Sequence, residues 1–352
     1  SYTKEWISNV TQKQFPNTNN ELAERVIYAL TLLEKLKEAG FEFVFKGGTA
    51  LLLSMGSLDR FSIDIDVVMS GKPADINARL AALAGSGVFK KFEEDVRAER
   101  LNVKKGHYKF YFDSVIQKGQ LPIVLDVIFD KPTYLQTIAL PLACPFVATE
   151  GKAVEIIVPT LEGLMSDKLT TLAPDTVGIS FGADNKLQIA KQLYDVARLF
   201  DQVKNFEKVR AELEQLVPIE AGYKRIKTPS VEAILDECFD FALVAASQGK
   251  HKPERHKEIY SGAASLKAYL LRKVSVDEVM MWGGKVAYAS QLLRAPSGGP
   301  AKKFESGVDL TKWAIRDRRY VDLNRIKKSY PEGYFYWHLA IQRLAGDGAV
   351  RV

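Results

Sequence analysis

Two stretches decide the fold: Phe45-Lys46-Gly47-Gly48-Thr49-Ala50-Leu51 and, soon after, Ser62-Ile63-Asp64-Ile65-Asp66-Val67-Val68. Phe41 to Phe45 is a short aromatic and β-branched run, which reads as a strand, and Ala50 to Met55 reads as a helix. Gly47-Gly48-Thr49 therefore sits at a strand-to-helix turn. Adjacent glycines let backbone N–H groups approach a phosphate, the helix N-terminus favours an anion, and Thr49 offers a hydroxyl. The plainer reading is an ordinary glycine turn. Ser62 to Met69 reads as a second strand, in which Asp64 and Asp66 project to one face and the intervening apolar residues to the other. Two carboxylates about 4 Å apart repel by about 4 kcal/mol at an effective dielectric near 20, so the pair suits a site where a cation offsets it. Hard oxygen ligands point to Mg²⁺ or Mn²⁺. The plainer reading is a solvated strand face that water screens.

Outward from this pair, Ile123-Val124-Leu125-Asp126-Val127-Ile128-Phe129 holds one acid within a continuous apolar run. A lone carboxylate in such a strand is costly without a partner. If the strand lies beside the Asp64/Asp66 strand, three carboxylates meet, the arrangement that serves divalent cations at a triphosphate. Asp130, at the strand end before Lys131-Pro132, reads as a turn residue. The patterning predicts helices over 19–39 and 76–84 and strands over 108–112, 122–129 and 153–158. Beyond Thr160 it predicts helices bearing Leu161 to Leu172 and Ile189 to Phe200, with breaks at 248–257 and 295–303. The expected fold class is α+β: a mixed sheet with helices, followed by a mainly helical C-terminal part. The expected domains are 1–158, 159–249 and a basic region 250–352.

The 352 residues are 47% apolar and 26% charged, which excludes a disordered or collagen-like chain. Two cysteines, Cys144 and Cys238, cannot build a disulfide framework, and four scattered histidines argue against a histidine metal cluster. No apolar run approaches membrane-spanning length, and Ser1 to Trp6 has no signal-peptide core, so a cytoplasmic protein without membrane contact is expected. Residues 1–249 carry a net −4 and residues 250–352 a net +10. A basic end on an acidic body suits a polyanionic partner, most simply nucleic acid. Arg316, Arg318, Arg319, Arg325, Lys327 and Lys328 are the candidate RNA contacts, interleaved with Trp313, Tyr320, Tyr330, Tyr334, Tyr336 and Trp337. The competing reading places those aromatics in a core.

Together these residues resemble the nucleotidyltransferase superfamily pattern. The stretch Phe45 to Leu51 followed by Arg60-Phe61-Ser62-Ile63-Asp64-Ile65-Asp66 is similar to the signature of the AbiEii/AbiGii nucleotidyltransferase toxin family. Asp167-Lys168-Leu169 and Lys191-Gln192-Leu193-Tyr194-Asp195 resemble two further elements of that family, so the likeness spans about 40–200. The resemblance implies an NTP held by Lys46, Gly47, Gly48, Thr49 and Lys168. It also implies Mg²⁺ (or Mn²⁺) on Asp64 and Asp66, with Asp126 as third ligand or as activator of the acceptor hydroxyl. Asp195 would be a catalytic or organising acid. The implied activity is transfer of a nucleoside monophosphate from an NTP to an acceptor hydroxyl, with release of pyrophosphate. The implied acceptor is RNA, specifically tRNA, and the implied setting a toxin–antitoxin or phage-abortive-infection system with a separate antitoxin partner. The alternatives are a protein or small-molecule acceptor, or a nucleic-acid-binding protein on an inactive scaffold. Retention of all three acids argues against the last.

Overall fold

The computed structural model describes residues 1–16, 18–56, 59–85, 87–96, 103–295 and 301–346. They form two compact units: Ser1–Thr160 together with Ala268–Lys273, and Leu161–Lys267 together with the described residues from Val274 onward.

The first, α/β unit runs α1 (Lys4–Gln14), α2 (Asn20–Glu38), β1 (Val44–Lys46), α3 (Gly47–Ser54), β2 (Ile65–Met69), α4 (Ile76–Ala84), β3 (Lys91–Glu94), β4 (Lys105–Asp113), β5 (Gln120–Phe129), β6 (Thr137–Pro141) and β7 (Glu155–Pro159). Among the described residues, five strands form a mixed sheet in the order β1-β2-β5-β4-β3, and β6 and β7 form a separate antiparallel pair. β2 and β5 run parallel, and the other pairings in the large sheet are antiparallel. Period-two alternation orients the sheet. Tyr108, Phe110 and Phe112 of β4 and Leu121, Ile123, Leu125 and Val127 of β5 are buried on one face. His107, Lys109 and Tyr111, with Val124, Asp126 and Ile128, are half-buried on the other. The buried face is covered by α2, whose start is capped by the Asn19 side chain accepting from the Glu21 N–H at 2.8 Å. Tyr28 of α2 stacks on Phe112, ring centroids 3.6 Å apart.

Two expectations are corrected. Asp126 is not enclosed by the apolar run around it: Val124 and Ile128 lie with it on the less buried face, and all three are half-buried. The helix after β1 begins at Gly47 rather than Ala50, so the glycines form its first turn.

The second, helical unit holds α5 (Leu161–Thr171), α6 (Lys186–Gln202), α7 (Phe206–Lys224), α8 (Val231–Ala246), α9 (Pro253–Leu266), α10 (Val279–Leu292) and α11 (Pro331–Leu344). α10 packs on α6, α8 and α11, so helices from both sides of residue 250 share one core instead of separating there. Tyr334, Tyr336 and Trp337 are buried in it. No described helix is long and apolar enough to cross a membrane.

This unit carries a pH dependence. Burial pushes the His256 ring below its ordinary value, and burial followed by the nearby Lys327 charge does the same to His338. Below the ordinary histidine value of about 6.5 the unfolded chain takes up protons that these folded rings refuse. Stability is therefore present above about pH 6.5 and is lost as pH falls through the window beneath it. Denaturant titrations at pH 7.5 and 5.5 are expected to give a lower midpoint at the acidic value. His338→Phe should reduce the difference.

Candidate active site

The β-sheet register places four polar side chains in one row. Lys46 on β1 stands opposite Asp66 on β2, Asp66 opposite Asp126 on β5, and Asp126 opposite His107 on β4. In-register neighbours share a face, so Lys46, Asp66, Asp126 and His107 line one side of the sheet, with adjacent strands about 4.8 Å apart. The sequence reading expected three carboxylates to meet if the Asp126 strand lay beside the Asp64/Asp66 strand, and the parallel β2–β5 ladder sets Asp126 opposite Asp66. Asp64 lies just before β2, half-buried. The register sets Asp66 opposite Asp126, with Asp64 two residues before Asp66.

The glycines explain how Asp66 meets the helix. Gly47 has φ +78°, and a Cβ there would stand 2.1 Å from Asp66 Oδ2. The Asp66 carboxylate is thus packed directly against the first residue of α3, where the helix dipole favours negative charge. A Cβ on Gly48 would stand 2.7 Å from both Arg60 Nη2 and Ser62 Oγ. A cation and a hydroxyl therefore flank the second glycine. Gly47→Ala is expected to displace the Asp66 carboxylate and strain the backbone, lowering transfer at least tenfold (about 1.4 kcal/mol) with the sheet retained. Initial rates and circular dichroism on the same preparation check this.

Thr49 departs from its expected role. It is fully buried and its hydroxyl donates to the Asp64 carbonyl at 2.6 Å. It ties α3 to the segment entering β2 and acts on Asp64 through the backbone rather than reaching a phosphate. Lys46 Nζ lies 5.9 Å from the Tyr134 ring centroid.

Sequence reasoning missed Arg60, Ser62 and His107. Arg60 is buried, with Nη1 donating to the Phe61 carbonyl at 2.9 Å. Its segment is held by residues remote in sequence: Phe61 N–H donates to the Tyr269 carbonyl at 2.7 Å and Leu271 N–H to the Asp59 carbonyl at 3.0 Å. His107 Nδ1 lies 2.6 Å from Asp126 Oδ1. The alternation of Lys105, His107, Lys109 and Tyr111 with Gly106, Tyr108, Phe110 and Phe112 was the available signal, but only the register reveals that His107 faces Asp126.

In the helical unit, Lys168 of α5 and Asp195 of α6 are brought together, Nζ to Oδ2 3.2 Å, both almost fully buried. Of the basic set, Lys327 Nζ donates to the Thr311 and Trp313 carbonyls, Arg325 donates to the Ser247 carbonyl, and Arg319 clamps Asp317. Arg316, Arg318 and Lys328 are exposed.

The model of the nucleotidyl transferase AbiEii toxin family (type IV toxin–antitoxin system) matches residues 31–264, well over half of the chain. No curated protein matches the sequence. Among solved structures, the chain is similar to MenT4, a nucleotidyltransferase toxin from Mycobacterium tuberculosis H37Rv, at 15% identity and a TM-score of 0.52, covering 94% of this chain and 98% of that one. It is also similar to JHP933 from Helicobacter pylori, at 15% identity and a TM-score of 0.48, covering 79% and 93%. At 15% identity the likeness to MenT4 concerns the fold alone, and the family rests on the matched model. The chain belongs to the AbiEii nucleotidyl transferase toxin family and is a nucleotidyltransferase.

Proposed function

We propose that this nucleotidyltransferase moves a nucleoside monophosphate from an NTP to a hydroxyl of RNA, with tRNA as the acceptor class, in the presence of Mg²⁺ or Mn²⁺. The observation that carries the reading is the in-register pair Asp66/Asp126, with Asp66 seated on the first turn of α3. Asp64, Asp66 and Asp126 fit a hard divalent cation: all donors are carboxylate oxygens, and Mg²⁺ is commonly held by one or two carboxylates plus substrate phosphates rather than by a protein cage. A bound cation would supply charge neutralisation at the triphosphate and at the attacking oxygen.

The remaining chemistry belongs to the chain. Gly47 and Gly48 let the phosphates approach the α3 backbone, while Lys46, Arg60 and Ser62 supply donors beside it. The acceptor oxygen forms a bond to the α-phosphorus as the bond from that phosphorus to the oxygen bridging to the β-phosphate breaks. Pyrophosphate leaves, and Asp126 is the carboxylate placed to take the hydroxyl proton when it is not itself a ligand. Lys168 keeps its implied role toward the phosphates and Asp195 its implied role as organising acid. The exposed Arg316, Arg318 and Lys328 contact RNA phosphates, and an antitoxin is the protein partner. The cytoplasm, where NTP and RNA are both at hand, is the compartment that this reading implies.

Incubation with each α-³²P NTP, Mg²⁺ and total cellular RNA tests this. One NTP is expected to label a tRNA-sized band, and EDTA is expected to abolish the label. Label in a protein band would replace RNA by a protein acceptor, and no label with any NTP would overturn the reading.

A further inference from the structure

We propose that His107 is a positioning residue that fixes the Asp126 carboxylate. The proposal rests on the reading of Asp126 given above and names a residue that reading does not use.

Three observations carry it. His107 and Asp126 are a register pair on adjacent strands, and Nδ1 lies 2.6 Å from Oδ1, the short distance of a charge-assisted hydrogen bond. His107 is the one hydrogen-bond partner of that carboxylate among the described residues. The histidine side chain is also the less exposed of the two, 18% against 35%, so the better-packed ring holds the more accessible acid. An ionised carboxylate can only accept, so Nδ1–H donates, which commits Oδ1 to β4 and leaves the second oxygen for a ligand.

The row explains why such a restraint is needed. Asp66 and Asp126 stand side by side and repel. Asp66 is restrained by the first turn of α3 and faces Lys46 across β1. The Asp126 side chain is about one-third exposed, and without His107 it relieves the repulsion by rotating toward solvent. Outer partners that orient a liganding group typically change metal affinity or activity by about 10–100-fold. The Lys46 and α3 end of the row lies on the far side of β2, so NTP binding should be spared.

The test uses the full chain, with Mn²⁺ alone as the binding probe and steady-state transfer as the second readout. His107→Ala is expected to weaken Mn²⁺ binding about tenfold or more and to lower kcat with little change in KM for NTP. His107→Asn, which keeps a donor near the Nδ1 position, is expected to recover most of both. In an Asp126→Ala background, His107→Ala is expected to add no further loss of Mn²⁺ affinity, as a residue acting through Asp126 requires. Wild-type Mn²⁺ affinity and kcat in His107→Ala would overturn the proposal alone. So would a full additional loss on top of Asp126→Ala, or a His107→Asn variant as impaired as His107→Ala. If Asp126→Ala itself leaves Mn²⁺ binding and transfer intact, the reading of the site falls and the proposal falls with it.

Discussion

Asp66→Asn is expected to lower nucleotide transfer by about 10²–10³-fold while leaving the apo-protein as stable as wild type or more so. Two arguments set the opposite signs. In the apo-protein Asp66 and Asp126 occupy facing register positions, and two ionised carboxylates about 5 Å apart repel by roughly 3 kcal/mol at an effective dielectric of about 20, less with solvent screening. Removing one charge relieves that repulsion. Asparagine also keeps the shape that fits against Gly47, where a Cβ would stand 2.1 Å from Asp66 Oδ2. In the proposed reacting complex the same charge would help to hold a cation against the triphosphate, so its loss would fall on the transition state. Thermal melts without substrate, alongside initial rates with labelled NTP, separate the two effects. A variant whose lost activity tracks a lowered melting temperature would make Asp66 a structural residue.

The readable part of this site is the part written in local chemistry. The Gly47-Gly48 turn, the Asp64/Asp66 alternation and the lone acid at Asp126 are each visible in a few adjacent residues. The helix over 76–84 and the sheet strands around 108–112 and 122–129 follow from periodicity alone. What was not legible depends on register and on residues far apart in the chain. His107 became part of the row only because β4 pairs antiparallel with β5 in one particular register. Residues 268–273 could not be assigned to the α/β unit from composition, because they join it through backbone hydrogen bonds to 59–61 that carry no side-chain signature. Thr49 shows the other limit. Its hydroxyl suits a phosphate or a carbonyl equally well, and only its burial against Asp64 decides between them. The aromatics near the C-terminus went the same way: Tyr334, Tyr336 and Trp337 belong to the core, so their interleaving with arginine reflects α11 packing. β3 and β6 escaped notice because both are short and neither holds a buried residue.

Lys168→Met is expected to destabilise the helical unit by about 3–5 kcal/mol, the cost of removing one partner from a buried ion pair. Lys168 is 4% exposed and Asp195 2% exposed, so the carboxylate left behind cannot recover its solvation from water. This expectation and the phosphate-contact role of Lys168 both predict lost activity, and the single variant cannot separate them. The double variant Lys168→Met/Asp195→Asn can. It removes both charges together and keeps an amide at 195 for the other groups that contact that side chain. Neutralising both partners is less damaging than removing one charge from the pair, so the double variant should be more stable than Lys168→Met, with a coupling of roughly 0.5–3 kcal/mol. Transfer then decides between the roles. If Lys168 and Asp195 serve only to hold α5 against α6, activity returns as stability returns. If Lys168 opposes the charge developing on the leaving pyrophosphate and Asp195 organises the reacting groups, the double variant folds, melts cooperatively and remains inactive. The second outcome is expected, because a pair retained for stability alone gains little over well-packed apolar side chains at the same two positions.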